Sequence, residues 1–188
     1  MLPSPDLPAC KHQPPGSPNT RDPKSIHTSI KPAAKTKTLP LPGSVGLDSD
    51  DQLRVLAQKL EEVFEDTPMA QHLAYKYGTR VEALTHLCKQ DPSLKKRIVE
   101  DLPYAWVEIE VAAQQEMAYT VADALVRRTQ LYYRDQDHGL GVVDETAHRM
   151  GKILGWSSEE CARQIQDYKE RVATNRQWRR QPHEQLAG

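Results

Sequence analysis

Glu116-Met-Ala-Tyr-Thr-Val-Ala-Asp-Ala-Leu-Val-Arg-Arg-Thr-Gln-Leu131 decides the fold of this chain. Its first residues end one helix. Thr120 followed by Asp123 matches a capping box, which restarts the chain as a second helix carrying Arg127 and Arg128. At roughly 100° per residue, Val121, Ala124, Leu125, Leu131 and Tyr132 form one apolar face with Arg128 in its middle. On the preceding helix, Trp106, Ile109, Ala112, Ala113 and Met117 form a similar face that includes Glu116. Two such faces, one on either side of a capped break, predict helix packed on helix.

Burying an isolated charge is expensive, so a cation and an anion on facing apolar surfaces imply a hydrogen-bonded pair. The pattern therefore predicts a helix–helix clamp between Glu116 and Arg128, for which arginine's planar fork is better suited than lysine. Arg127 stands one turn from Asp123 on the helix flank, where an i,i+4 surface pair is expected. The functional alternative is that Arg128, with Arg127, reaches a phosphate on a ligand or partner domain.

Outward from this run the chain reads as helix after helix. Asp50 or Asp51 caps a helix with Leu53, Leu56, Leu60, Val63 and Phe64 at helical spacing. Pro68 suits the first turn of the next, and Gly78 its stop. Thr79 with Glu82 matches a capping box for a third helix through Val81, Leu84 and Leu87. A break at Asp91-Pro92 and a short turn lead to the helix from Tyr104 to about Met117. Beyond Thr120 a continuous helix is expected from Val121 to about Tyr133. Asp144 then caps a helix through Met150 and Leu154, and Ser157 with Glu160 opens the last one. The fold class is all-α: a single compact multi-helix domain of about six to seven helices, without strands or internal repeats.

Residues 1–46 are of another kind. They hold ten of the fourteen prolines and show no apolar periodicity, so they cannot bury enough surface to offset their ordering entropy. The expected organisation is a disordered leader and linker over 1–46, a helical domain over 47–180 and a flexible tail over 181–188. Leu39-Pro-Leu-Pro-Gly43 is expected to form a short docking strip. The leader carries six of the 25 basic and two of the 26 acidic residues, leaving 19 basic and 24 acidic in the remainder. A net charge of −1 gives no argument for a nucleic-acid partner.

Cys10, Cys88 and Cys161 are far apart and form no C-x-x-C pair, which fits a reducing compartment rather than a disulfide framework. No apolar run of membrane-spanning length occurs, and the proline-rich start does not resemble a secretory signal, so the expected location is cytoplasmic. His72, His86, His138 and His148 lack a tight metal-binding spacing. Gly139-Leu-Gly141 is not a dinucleotide fingerprint, since no strand precedes it and Asp144 stands where the third glycine belongs. Neither a nucleophile elbow nor a phosphate loop is present. Arg171, Arg176, Arg179 and Arg180, with Trp178 among them, could bind RNA or an anionic surface. The acidic Glu159, Glu160, Asp167 and Glu170 on the same helix instead favour a solvated helix end.

The pattern Glu116-x-Ala118-x-Thr120-x-x-Asp123-x-Leu125-x-Arg127-Arg128-Thr129-x-Leu131 resembles the signature of the C-terminal helical domain of FAD-dependent glycerol-3-phosphate dehydrogenases and the related glycerophosphate oxidases. Tyr75-x-Tyr77-Gly78 upstream and Leu154-Gly-Trp156 and Tyr168 downstream support it. Thr38-Leu-Pro-Leu-Pro-Gly43 is similar to the strip that joins the flavin domain to the helical one. The resemblance covers about residues 36–175. In that family the FAD-binding fold and the substrate-contacting residues lie N-terminal to this domain, so no catalytic, cofactor-binding or metal residue is carried over.

The resemblance implies a detached or split domain that serves as a scaffold or docking module for a flavoprotein glycerol-3-phosphate dehydrogenase. FAD would then reside in the partner, and this chain alone would have no activity. The alternatives are a helical protein–protein adaptor derived from that domain, or an RNA or anion binder acting through the basic tail.

Overall fold

The computed structural model describes residues 38–177, and every element in them is helical. The basic tail read at Trp178, Arg179 and Arg180, and the leader up to residue 37, lie outside the described residues. Seven α-helices follow one another, with short 3₁₀ and π turns between them.

Helix α1 (Asp50–Phe64) is opened by Ser49, which accepts from Gln52 N while the Gln52 side chain returns to the Ser49 amide. Ala57, Leu60 and Phe64 give it one buried face. Glu65 adopts a left-handed conformation and Asp66 caps the next helix, so this two-residue connection folds α2 (Thr67–Tyr77) back along α1. Met69, Ala70, Leu73, Ala74 and Tyr77 bury the opposing face of α2.

At the end of α2 the chain passes very close to the joining strip. Gly43 (φ +90°) and Gly78 (φ +55°) face each other, and a Cβ built on Gly78 would come within 2.0 Å of the Gly43 carbonyl oxygen. That oxygen accepts the Thr79 amide at 2.9 Å. The end of the strip therefore packs on the helical body. Thr79 is occupied there, and the capping box expected with Glu82 does not form. A 3₁₀ turn (Gly78–Arg80) instead runs straight into α3 (Val81–Gln90), which has no side-chain cap.

A second 3₁₀ turn (Pro92–Lys95) and an isolated antiparallel bridge between Arg97 and Ala105 lead into α4 (Trp106–Gln115). Arg97 holds this segment to the start of α2 through Asp66, at 2.6 and 2.8 Å in a two-pronged contact. The guanidinium beside Asp66 holds its carboxyl below the usual range.

Helix α4 is the centre of the domain. Trp106, Val107, Glu108, Ile109, Val111, Ala112 and Ala113 are all buried, so apolar contact surrounds nearly its whole circumference. It packs on α3 and α6. Helix α6 (Val143–Leu154), ended by Gly155, packs in turn on α7 (Ser158–Asn175). The two cross closely at Gly151, where a Cβ would meet Cys161 Sγ at 2.7 Å. Ser157 caps α7 by accepting Glu160 N. Asp144 lies within the first turn of α6 and is not its cap residue.

The run from Val121 is not one helix. After a single α turn the chain winds as a π-helix over Asp123–Arg128, bends at Thr129, and turns left-handed at Gln130 (φ +60°). A four-residue helix α5 (Leu131–Arg134) follows. Thr129 supplies the physical reason, since its amide and its hydroxyl both donate to Ala124 O at 2.9 Å.

Candidate functional site

The charged centre of the molecule is Glu108, whose side chain is fully buried in the first turn of α4. One carboxylate oxygen accepts the Ala105 amide at 3.0 Å, tying down the helix start. The other lies 2.6 Å from Lys76 Nζ, 3.1 Å from His72 Nε2 and 3.3 Å from the Tyr77 hydroxyl, all on α2. Burial alone would drive this carboxyl neutral. The hydrogen bond from His72 and the charge of Lys76 outweigh it, so Glu108 is held below the usual carboxylate range. Burial is also the main reason that the Tyr77 hydroxyl is pushed far up, with Glu108 adding to it.

Above this cluster lies an open groove of about 360 Å³ lined by His72, Tyr75, Lys76, Tyr104, Arg128, Thr129, Gln130 and Arg134. One wall is α2 and the other is the π turn with α5. The rings of His72 and Tyr104 meet edge to face at 4.5 Å, and Lys76 Nζ sits over the Tyr77 and Tyr104 rings. No lining residue is acidic. Lys76 is engaged by Glu108, whereas Arg128 and Arg134 are exposed and make no ion pair among the described residues. Arg134 is close enough to Tyr104 for its charge to oppose the upward push that burial gives that phenol.

The expected clamp between Glu116 and Arg128 is absent. Glu116, the residue that ends α4, has a loose contact with Arg80 Nη1 at 3.6 Å instead. Arg128 points to the groove rim because the π turn spreads six residues over i→i+5 bonds, so the angle per residue falls below that of an α-helix. A wheel drawn at 100° carries Arg128 into the apolar face, and the actual winding carries it out. Val121, Ala124, Leu125 and Leu131 are buried as their spacing indicates. Met117 does not join the α4 face: it has φ +56° and is 71% exposed.

The other two marked features lie beside each other. Arg127 Nη1 is 2.5 Å from Asp123 Oδ1 on the surface. Thr120 Oγ1 accepts the Asp123 amide at 3.0 Å, while Asp123 Oδ2 accepts the amides of Tyr119 and Thr120. Sequence reasoning missed Glu108. The signal was available: His72 and Lys76 stand four apart, one turn of α2, and Glu108 lies between Val107 and Ile109 in an otherwise apolar stretch.

Gly139 opens a 3₁₀ turn rather than a strand-to-helix loop, and its amide donates to the Asp135 carboxylate at 2.7 Å. Among the described residues no three His, Cys, Asp or Glu side chains gather as a metal site, and no helix is long and apolar enough to cross a membrane.

Residues 34–161 match the family described as the C-terminal domain of alpha-glycerophosphate oxidase. A glycerol-3-phosphate dehydrogenase of Synechocystis sp. is 31% identical over 146 residues, 77% of this chain and 26% of the relative. A probable mitochondrial glycerol-3-phosphate dehydrogenase of Dictyostelium discoideum is 30% identical over 133 residues, covering 70% of this chain and 20% of its own length. Glycerol-3-phosphate dehydrogenase 2 of Mycobacterium tuberculosis is 31% identical over 101 residues, or 54% of this chain and 17% of the relative. The chain therefore spans about a quarter, or less, of the length of these relatives. No solved structure matches.

Proposed function

Because the chain belongs to the family of C-terminal domains of alpha-glycerophosphate oxidase and the glycerol-3-phosphate dehydrogenases, we propose that it is the helical scaffold of such an enzyme. In this reading it docks on a flavin domain and contributes no active site of its own. The observation that carries the reading is the extent of the family match, residues 34–161, which takes in the joining strip and all but the end of the helical body. The chemistry of the described residues supports it. The buried charge at Glu108 is engaged by Lys76, His72 and Tyr77 of α2 and by the Ala105 amide, as a structural group would be. FAD, bound by the flavin domain, would supply the redox chemistry of glycerol 3-phosphate oxidation, and this chain would hold the flavin domain in shape.

Co-expression with a flavin domain that lacks its helical domain tests the proposal. The two are expected to purify together with yellow flavin absorbance and to oxidise glycerol 3-phosphate, while this chain alone binds no FAD. Turnover by the isolated chain, or failure of the two to associate, overturns it.

A further inference from the structure

The Arg128 groove has a feature that a scaffold role leaves unused, namely cationic groups gathered from separate elements with no acid among them. Arg128 comes from the π turn, Arg134 from α5, and Lys76 with His72 from α2. The nearest carboxylate, Glu108, is fully buried beneath them, with both its oxygens already accepting bonds. It offsets one of the three fixed positive charges of Lys76, Arg128 and Arg134 and leaves two, the charge of a phosphate monoester dianion.

Among the described residues most other arginines have acidic neighbours, the exposed Arg171 being an exception. Arg54 lies near Asp50 and Asp51, Arg127 on Asp123, Arg149 on Glu145, and Arg163 between Glu160 and Asp167. What sets Arg128 and Arg134 apart is that two arginines without an acidic partner share a single concavity. The winding that puts Arg128 there is specific, since Thr129 commits both its donors to Ala124 O. The next two positions, Thr129 and Gln130, take right- and left-handed helical conformations in succession and also line the groove.

We propose that this groove binds a small phosphate monoester, with the Arg128 and Arg134 guanidiniums holding the phosphate oxygens. Planar forks suit such oxygens. Lys76 adds charge from the opposite wall while remaining bonded to Glu108. An opening of about 360 Å³ admits a small phosphorylated molecule rather than a folded partner. The site needs only this chain, so it stands or falls separately from docking on a flavin domain.

The test is a titration of the full chain with inorganic phosphate, and separately with methyl phosphate, at constant ionic strength. The arginine side-chain Nε–H signals are followed by NMR. The Arg128 and Arg134 signals are expected to shift saturably. Arg128→Ala and Arg134→Ala should each weaken the affinity about tenfold, with unchanged thermal unfolding showing that the fold is intact. Arg127→Ala, which removes an exposed arginine already paired with Asp123, should leave the affinity unchanged. A linear response, an equal response to chloride, or an equal loss in Arg127→Ala overturns the proposal. So does retention of an acidic protein by the groove with no response to either phosphate probe.

Discussion

The two walls of one groove use positive charge in opposite ways. On the α2 wall, Lys76 and His72 reach a carboxylate that is wholly buried, and Tyr77 and the Ala105 amide complete its shell. On the opposite wall, Arg128 and Arg134 reach no carboxylate among the described residues. The first arrangement serves the fold. A carboxylate in the interior is tolerable only with every lone pair engaged, and once engaged it ties α2 to α4. The second contributes little to the fold, because exposed guanidiniums remain hydrated and add almost nothing to stability. The difference lies in where the backbone places each group: an α-helix keeps Glu108 in the core, and a π turn lifts Arg128 out of it.

The comparison is tested most severely at Glu108. Glu108→Ala leaves the Lys76 ammonium, the Tyr77 hydroxyl and the Ala105 amide without their acceptor, and should cost about 3–5 kcal/mol in urea unfolding. That is a large fraction of the stability of an ordinary domain. A loss below about 1 kcal/mol would show that the cluster behaves like a surface pair, and the contrast between the walls would disappear.

Acid should sharpen the same contrast. The Glu108 carboxyl is held below its free value of 4.5, so the unfolded chain takes up the proton first as the pH falls. Its contribution is therefore fully present above that value and is lost as the pH drops through the lowered one. Asp66, held down by Arg97, adds a loss of the same sign starting from its own free value of 3.8. The stability difference between wild type and Glu108→Gln should be constant near neutrality and shrink below pH 4.5. A difference that grows in acid would show that the carboxyl is protonated in the native protein.

A smaller effect is expected at the turn that separates the two walls. Thr129→Val keeps the side-chain shape but removes the hydroxyl bond to Ala124 O. The expected loss is about 1 kcal/mol by thermal or urea unfolding. If the π winding depends on that bond, the Arg128 Nε–H signal should also move in the absence of any anion. An unchanged Arg128 signal would mean that the amide of Thr129 holds the turn by itself.

The helical class was legible because most helices carry their own punctuation: Pro68 inside a start, Gly78 and Gly155 at stops, Ser157 with Glu160 at a cap. The family mark was legible as a dense run of side chains, several of them with local tasks, such as Thr120, Asp123 and Arg127. The long-range partners were not. Glu108 lies in the first turn of α4 and Glu116 just past its end, and only the packing of other elements decides that the first meets Lys76 of α2 and the second Arg80. Thr79 looked like a cap, but Gly43, thirty-six positions earlier, takes its amide. The wheel failed at Arg128 for a different reason, since it assumes 100° per residue and the π turn does not keep that angle.

The smallest expected change is also the sharpest test of that correction. Arg128→Ala removes a charge which, in an ordinary α-helix, would sit among Val121, Ala124 and Leu125, paired across the helix interface. Losing such a partner would cost about 3–5 kcal/mol, because a buried carboxylate would be left alone. In the structure Glu116 faces Arg80 and Arg128 is exposed, so the loss should stay within about 0.5 kcal/mol. Arg80→Ala provides the control: it should disturb Glu116 more than Arg128→Ala does, visible as a shift of the Glu116 side-chain carboxyl resonance in NMR. A destabilised Arg128→Ala with a displaced Glu116 signal would return Arg128 to the interior. The groove would then lose one of its two free cations.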